Sequence, residues 1–191
     1  PETVFRTPIH RLRDMLLMEI ENGVGDTGIK PGIIGEIAVQ EYHMTPAFER
    51  VLRACGRACR TSGLAISLHD HTETMALEML DILEDESVTL SRVCMGHQGN
   101  CDQLDYLREI ANRGAYIQMD HVGREKLQLD VDRARLIAQL VQEGFGTRIL
   151  LSHDVCTRQD LAKFGGPGYE HIPRNFVPLL EDAGLTTDEI R

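Results

Sequence analysis

Short apolar segments alternate along the chain with longer amphipathic ones. Five of the apolar segments are nearly continuous hydrophobic runs, as expected for strands that helices cover on both faces. Enough residues separate each run from the next for one helix and two loops. The predicted strands are residues 32–36, 65–69, 93–97, 116–120 and 149–154. This pattern predicts an α/β protein with a parallel sheet made from five consecutive βα units.

Apolar positions at helical spacing predict a helix in the connections, and turn residues mark the ends of these helices. Thr45 followed by Pro46 is a typical start, because threonine caps the first turn and proline is tolerated there. Gly23 and Gly114 are typical of helix carboxyl ends. The predicted helices are residues 8–23, 46–60, 72–85, 101–113, 130–143 and 172–183, and a further acidic helix begins within residues 186–191.

A carboxylate or an imidazole ends every predicted strand. These residues are Glu36, His69, His97, Asp120 and Asp154. In a (β/α)₈ barrel the carboxyl ends of the strands form the catalytic mouth, and carboxylate and imidazole groups are common ligands of divalent metals. Taken singly, a strand-end histidine can be structural, Glu36 can be an exposed strand end and Asp154 can cap a helix. Their occurrence together favours a metal site.

The length of the chain limits how much of a barrel it can form. The chain has 191 residues, whereas a complete (β/α)₈ barrel usually takes about 250. We therefore expect residues 1–191 to be the carboxyl-terminal portion of a single TIM barrel, covering about strands 4–8. The amino-terminal strands are then absent from this chain.

Charge and cysteine content indicate which partners the protein can bind and in which cellular compartment it lies. The net charge of −10 and the 5% aromatic content argue against nucleic acid, and the charge also argues against an anionic membrane surface. No apolar run approaches the 18 residues of a membrane span. The five cysteines form no disulfide pattern, which favours reduced thiols and a cytoplasmic protein. Cys55 and Cys59 lie four apart on a predicted helix, where burial in the core is favoured over metal binding.

The types of these residues suit a centre with two metal ions. Glu36 has two carboxylate oxygens and can bridge two cations, while His69 and His97 can complete the coordination of one of them. Asp154 can bind the other cation and can accept a proton from the attacking water. Asp154 is therefore the predicted catalytic residue.

Six motifs resemble those of the phosphotriesterase family in the amidohydrolase superfamily. They match most closely the branch of phosphotriesterase homology and phosphotriesterase-related proteins, and the resemblance runs in order along essentially the whole chain. The motifs are GIIGEI (32–37), ISLHDHT (66–72), SRVCMGHQGNCDQLDYL (91–107), YIQMDHVG (116–123), RILLSHD (148–154) and GGPGYEHIPRNFVPLL (165–180).

The resemblance implies a (β/α)₈ barrel with two divalent ions per complete subunit, most commonly Zn²⁺. By this resemblance Glu36 takes the position of the bridging ligand, and His69 and His97 match the ligands on the fifth and sixth strands. Asp154 matches the eighth-strand ligand and proton acceptor. A homodimer is expected from the family alone.

The chain also departs from the organophosphate-hydrolysing members of this family. Their bridging ligand is a carbamylated lysine, and here Glu36 stands in its place, so efficient organophosphate hydrolysis is not expected. Asn100 replaces an acidic member of their proton relay, while His121 matches the relay histidine. His121 and Tyr169 are predicted to lie on the substrate side. The first-strand His-x-His metal ligands are not in this chain, and His71 is predicted to lie in a loop near the mouth.

Together these features predict a metal-dependent hydrolase that activates water against a small ester, lactone or amide. The alternative is a non-catalytic barrel, braced by metal, that binds a small-molecule ligand.

Overall fold

A parallel sheet with intervening helices forms the frame of the protein. The computed structural model describes residues 2–39, 42–70 and 74–191. Its five strands follow one another in the sheet in chain order, and the pairs β1/β2 and β4/β5 are parallel. The strands are β1 (Ile34–Val39), β2 (Ile66–Asp70), β3 (Val93–Gly96), β4 (Tyr116–Met119) and β5 (Ile149–Leu151). The predicted parallel α/β class is therefore confirmed.

The helices occupy the connections in which helices were predicted, with one addition at the amino end. That addition is α1, which hydrophobic periodicity did not indicate. The helices are α1 (Glu2–Arg6), α2 (Ile9–Asn22), α3 (Pro46–Ser62), α4 (Ala76–Asp85), α5 (Leu104–Asn112), α6 (Asp130–Leu140), α7 (Val177–Asp182) and α8 (Thr187–Ile190). Within the described ranges, no helix combines the length and the apolar character that a membrane span requires.

The chain divides into two compact units. The first consists of Pro1–Met95 and Arg113–Ala115, and the second of Gly96–Asn112 and Tyr116–Arg191. In the first unit, α3 begins as predicted, because the Thr45 side chain accepts a hydrogen bond from the backbone N–H of Phe48 at 3.2 Å. The buried face of α3 contributes Leu52 and the two cysteines of the predicted helix to the core, which confirms the apolar interpretation of that pair.

The core of the second unit lies between β4 and the helices α5, α6 and α7. Its fully buried apolar side chains include Leu107, Ile117, Leu140 and Phe176. The helix predicted over residues 130–143 ends earlier, because α6 continues into a wider π-helical turn, Val141–Phe145, in which Gly144 has a φ of 94°. A similar turn, Ile172–Phe176, leads into α7.

Two of the predicted strand ends were wrong by three residues each. Glu36 lies inside β1 and does not end it, because the parallel ladder with β2 continues to the pair Val39 and Asp70. Asp154 lies three residues beyond Leu151, where β5 ends. The predicted helix start at Thr72 falls outside the described residues, and α4 is described from Ala76.

Candidate metal centre

Glu36 and His69 form a pair on adjacent strands of the first unit. The register places Ala38 of β1 opposite His69 of β2, and Oε2 of Glu36, two residues before Ala38, lies 3.1 Å from Nδ1 of His69. Gly35 permits this close approach. A Cβ atom at Gly35 would lie 2.4 Å from the carbonyl oxygen of Ser67 on β2, and the φ of Gly35 is 144°. The first unit thus brings together two of the four predicted metal ligands.

The two predicted ligands of the second unit share an unusual backbone conformation. His97 follows β3 with a φ of 60°, and Asp154 follows β5 with a φ of 47°. Residues other than glycine rarely adopt left-handed backbone, and where they do the surrounding structure must stabilise it. Such positions cluster at functional sites. Of the three in the described residues, two fall at predicted ligands, and the third is Ser87, after α4.

Asp120 contacts both the backbone and the ring of His97. Its Oδ2 accepts a hydrogen bond from the backbone N–H of His97 at 3.0 Å and lies 3.1 Å from Nδ1 of the same residue, and both side chains are buried. Histidines that bind metals usually contact a carboxylate through the second ring nitrogen, and this contact orients the ring. Asp120 ends a predicted strand but was not among the predicted site residues. The strand-end pattern that selected the others was the signal that could have found it.

The chemistry of this cluster fits a divalent cation. His97, Asp120 and His121 are buried, and each offers one ligand atom such that these atoms all lie within 4.8 Å of one another. The second carboxylate oxygen of Asp120, Oδ1, is buried and has no hydrogen-bond partner among the described residues. A buried carboxylate oxygen without a partner is costly unless a cation or a donor satisfies it.

His121 connects His97 with Asp154. Its ring stacks on that of His97, with centroids 4.6 Å apart and planes 8° from parallel, and its Nε2 lies 3.7 Å from Oδ2 of Asp154. Burial lowers the pKa of His121 to about 4, because desolvation penalises the charged imidazolium more than the carboxylate of Asp120 stabilises it. The ring is therefore neutral at physiological pH.

Arg124 is a residue of this site that sequence reasoning missed. Its Nη2 lies 2.8 Å from Oδ2 of Asp154, donates to the backbone carbonyl of Asp154 and lies 3.3 Å from Sγ of Cys156. It occupies the loop that follows β4, where nothing in the sequence separates it from an ordinary surface arginine. The carboxylate predicted to accept a proton is thus already paired with a cation from the protein.

Two residues named from the sequence remain, Tyr169 and His71. The ring of Tyr169 is exposed and meets the ring of His153 edge-on, with centroids 6.3 Å apart. Its assignment to the substrate side stays a prediction. His71 falls outside the described residues.

Comparison with known proteins places the chain in a family. The model of the phosphotriesterase family matches residues 3–191, so the chain belongs to that family. This membership and the parallel βα units confirm the predicted TIM-barrel fold, since the similar solved structures are TIM barrels of this family.

Three relatives illustrate the breadth of the family. The crystal structure of the phosphotriesterase homology protein from Escherichia coli shares 35% identity and a TM-score of 0.95, over 100% of this chain and 66% of its own. An N-acetyltaurine hydrolase from Dictyostelium discoideum is 32% identical over 94% of this chain and 52% of its own length. A lactonase from Listeria monocytogenes is 30% identical, with a TM-score of 0.87, over 94% and 54%. The chain therefore spans between about half and two thirds of the length of these relatives.

Proposed function

We propose that the complete protein carrying this chain is a metal-dependent hydrolase of small esters, lactones or amides. The observation that carries the proposal is the pair of predicted ligands His97 and Asp154, both in left-handed backbone after a strand, with Oδ2 of Asp120 3.1 Å from Nδ1 of His97. Relatives named as an N-acetyltaurine hydrolase and as a lactonase support this class of substrate.

The metal assignment follows the family resemblance and the chemistry of the donors. By that resemblance Glu36, His69, His97 and Asp154 are the proposed ligands of two divalent ions, with Zn²⁺ the favoured metal. Such ions, when bound, lower the pKa of water and polarise the carbonyl of a substrate. Asp120 keeps His97 in its orientation through the contacts at 3.0 and 3.1 Å.

The residues of this chain supply the proton chemistry and the binding contacts. Asp154 is the proposed acceptor of the proton that the attacking water releases. Arg124, whose Nη2 lies 2.8 Å from Oδ2 of that carboxylate, holds the Asp154 side chain in place. Tyr169 is the residue that we propose on the substrate side. The five free thiols support a cytoplasmic location, and a homodimer is carried over from the family as part of the proposal.

Metal content and turnover of the complete protein test the proposal together. Elemental analysis is expected to find two ions per chain, with a sharp loss in Glu36→Gln. Glu170→Gln removes an equally charged carboxylate, which is 68% exposed and pairs only with Arg174 among the described residues, and it should keep the full metal content. One ion or none in the wild type would contradict the two-metal centre.

Asp154→Asn should abolish turnover of esters, lactones and N-acyl amides while much of the metal stays bound. Unchanged turnover would remove Asp154 from its assigned role. Full metal loading with no turnover on any of the three substrate classes would instead favour the non-catalytic, ligand-binding alternative.

A further inference from the structure

A buried arginine fixes the orientation of the Asn100 side chain. Arg133 is 0% exposed and donates to the carboxylate of Asp130 through Nη1 and to the carbonyl of Gly99 through Nε at 2.7 Å. Its Nη2 donates to Oδ1 of Asn100 at 3.3 Å. Because a guanidinium can only donate, the oxygen of the Asn100 amide must face Arg133. The NH₂ group of the amide then points the other way.

The NH₂ group of Asn100 faces the ring of His121. Nδ2 of Asn100 lies 2.6 Å from Nδ1 of His121. An amide NH₂ group has no lone pair to offer, so Nδ1 of the imidazole must be the acceptor in this contact. A neutral imidazole that accepts at Nδ1 carries its proton on Nε2. That nitrogen faces Asp154, with 3.7 Å between Nε2 and Oδ2.

We propose that Arg133 and Asn100 are positioning residues that hold His121 in the Nε2–H tautomer. His121 then presents a hydrogen-bond donor beside Asp154, and this donor serves an oxygen of the substrate or of the attacking water. An acidic residue at position 100 would do the opposite, since a carboxylate accepts from Nδ1–H and leaves Nε2 as a lone pair. Asn100 thus converts a histidine that could relay protons into a fixed donor.

The tautomer itself does not depend on the reaction, whereas the role of the donor in turnover rests on the proposed function. This division permits two independent tests. One measures which ring nitrogen carries the proton, and the other measures the rate. Both use the complete, metal-loaded protein.

The first test is a two-bond ¹H–¹⁵N correlation spectrum of protein labelled at histidine, with the His121 signals assigned by their loss in His121→Gln. The expected spectrum of the wild type shows a protonated Nε2 and an unprotonated Nδ1. Asn100→Asp should exchange the two, because its carboxylate accepts from Nδ1–H. A protonated Nδ1 in the wild type, or an unchanged tautomer in Asn100→Asp, would overturn the proposal.

The second test is kinetic. Removing one preorganised hydrogen-bond donor from a site typically lowers kcat by about 10²–10³. Substitution of a residue that acts through another residue should lower kcat less. We therefore expect kcat to fall about tenfold in Asn100→Asp and in Asn100→Leu. Asn112→Leu is the control, since Asn112 is an exposed asparagine at the end of α5. It should leave kcat unchanged. An exchanged tautomer with an unchanged kcat would overturn the positioning role, whereas absence of wild-type turnover would refute only the proposed function.

Discussion

Glu86 stabilises the first unit through charged hydrogen bonds that a single substitution can remove. Its carboxylate accepts from Nε and Nη2 of Arg57 at 2.7 and 3.0 Å, and from Nη1 of Arg53 at 3.3 Å. The Glu86 side chain is only 10% exposed, while that of Arg57 is 33% exposed. Glu86→Gln keeps the shape of the side chain, removes the charge and turns an NH₂ group toward donors.

The expected loss of stability follows from how deeply Glu86 and Arg57 are each buried. A hydrogen bond to a charged group contributes about 1.5–3 kcal/mol, and the partly exposed Arg57 can return to water, so we expect a loss near the low end, about 1.5 kcal/mol in the free energy of unfolding. Asp85→Asn is the matched control. Asp85 pairs with Nη2 of Arg53 at 3.2 Å but is 66% exposed, so its substitution should cost less than about 0.5 kcal/mol.

Urea denaturation of the complete protein, followed by circular dichroism, measures both differences at a constant m-value. The pH dependence provides a second check. The Arg57 guanidinium lowers the pKa of Glu86, so its contribution is present above the unfolded pKa of about 4.3 and is lost as the pH falls through the folded value. The gap between wild type and Glu86→Gln should therefore shrink below about pH 4. Equal costs for the two variants would refute the reasoning.

Two further predictions concern the metal centre and the thiols. Asp120→Asn should weaken metal binding by about 10–100-fold, because loss of the carboxylate beside the proposed ligand His97 lets its ring rotate. Titration against a chelator measures the affinity, and an unchanged value would show that Asp120 does not orient the ring. Burial raises the pKa of the Cys55 thiol to about 12, whereas Cys156 is exposed. A thiol reagent followed by peptide mass spectrometry should modify Cys156 in the native protein and Cys55 only after unfolding; labelling of Cys55 in the native protein would contradict its burial.

The hydrophobic pattern was sufficient for the order and type of the strands. All five predicted strands exist, because a strand buried on both faces needs a continuous apolar run, and this requirement is local in sequence. The bounds were less certain from sequence. β1 extends through Glu36 because its ladder with β2 continues, and where a ladder stops depends on a partner strand about 30 residues away. Asp154 lies beyond β5 for the same kind of reason.

For the candidate site too, the sequence was enough to select residues by type and position. Glu36, His69, His97 and Asp154 could be selected from the sequence because residue type and strand-end position are both visible there. The pairing of Glu36 with His69 at 3.1 Å and the stacking of His97 on another imidazole are consistent with that selection within each unit. Both follow from strand order, which the sequence predicts.

The sequence by itself determined the family, the succession of βα units and the donor types at the strand ends. Only the tertiary structure decided how those donors are oriented. Arg124 against Asp154, and Arg133 against Asn100, join side chains that lie 30 and 33 residues apart along the chain. The physical reason is that periodicity records which face of an element is buried, whereas a hydrogen bond depends on atoms that meet only when separate elements pack together.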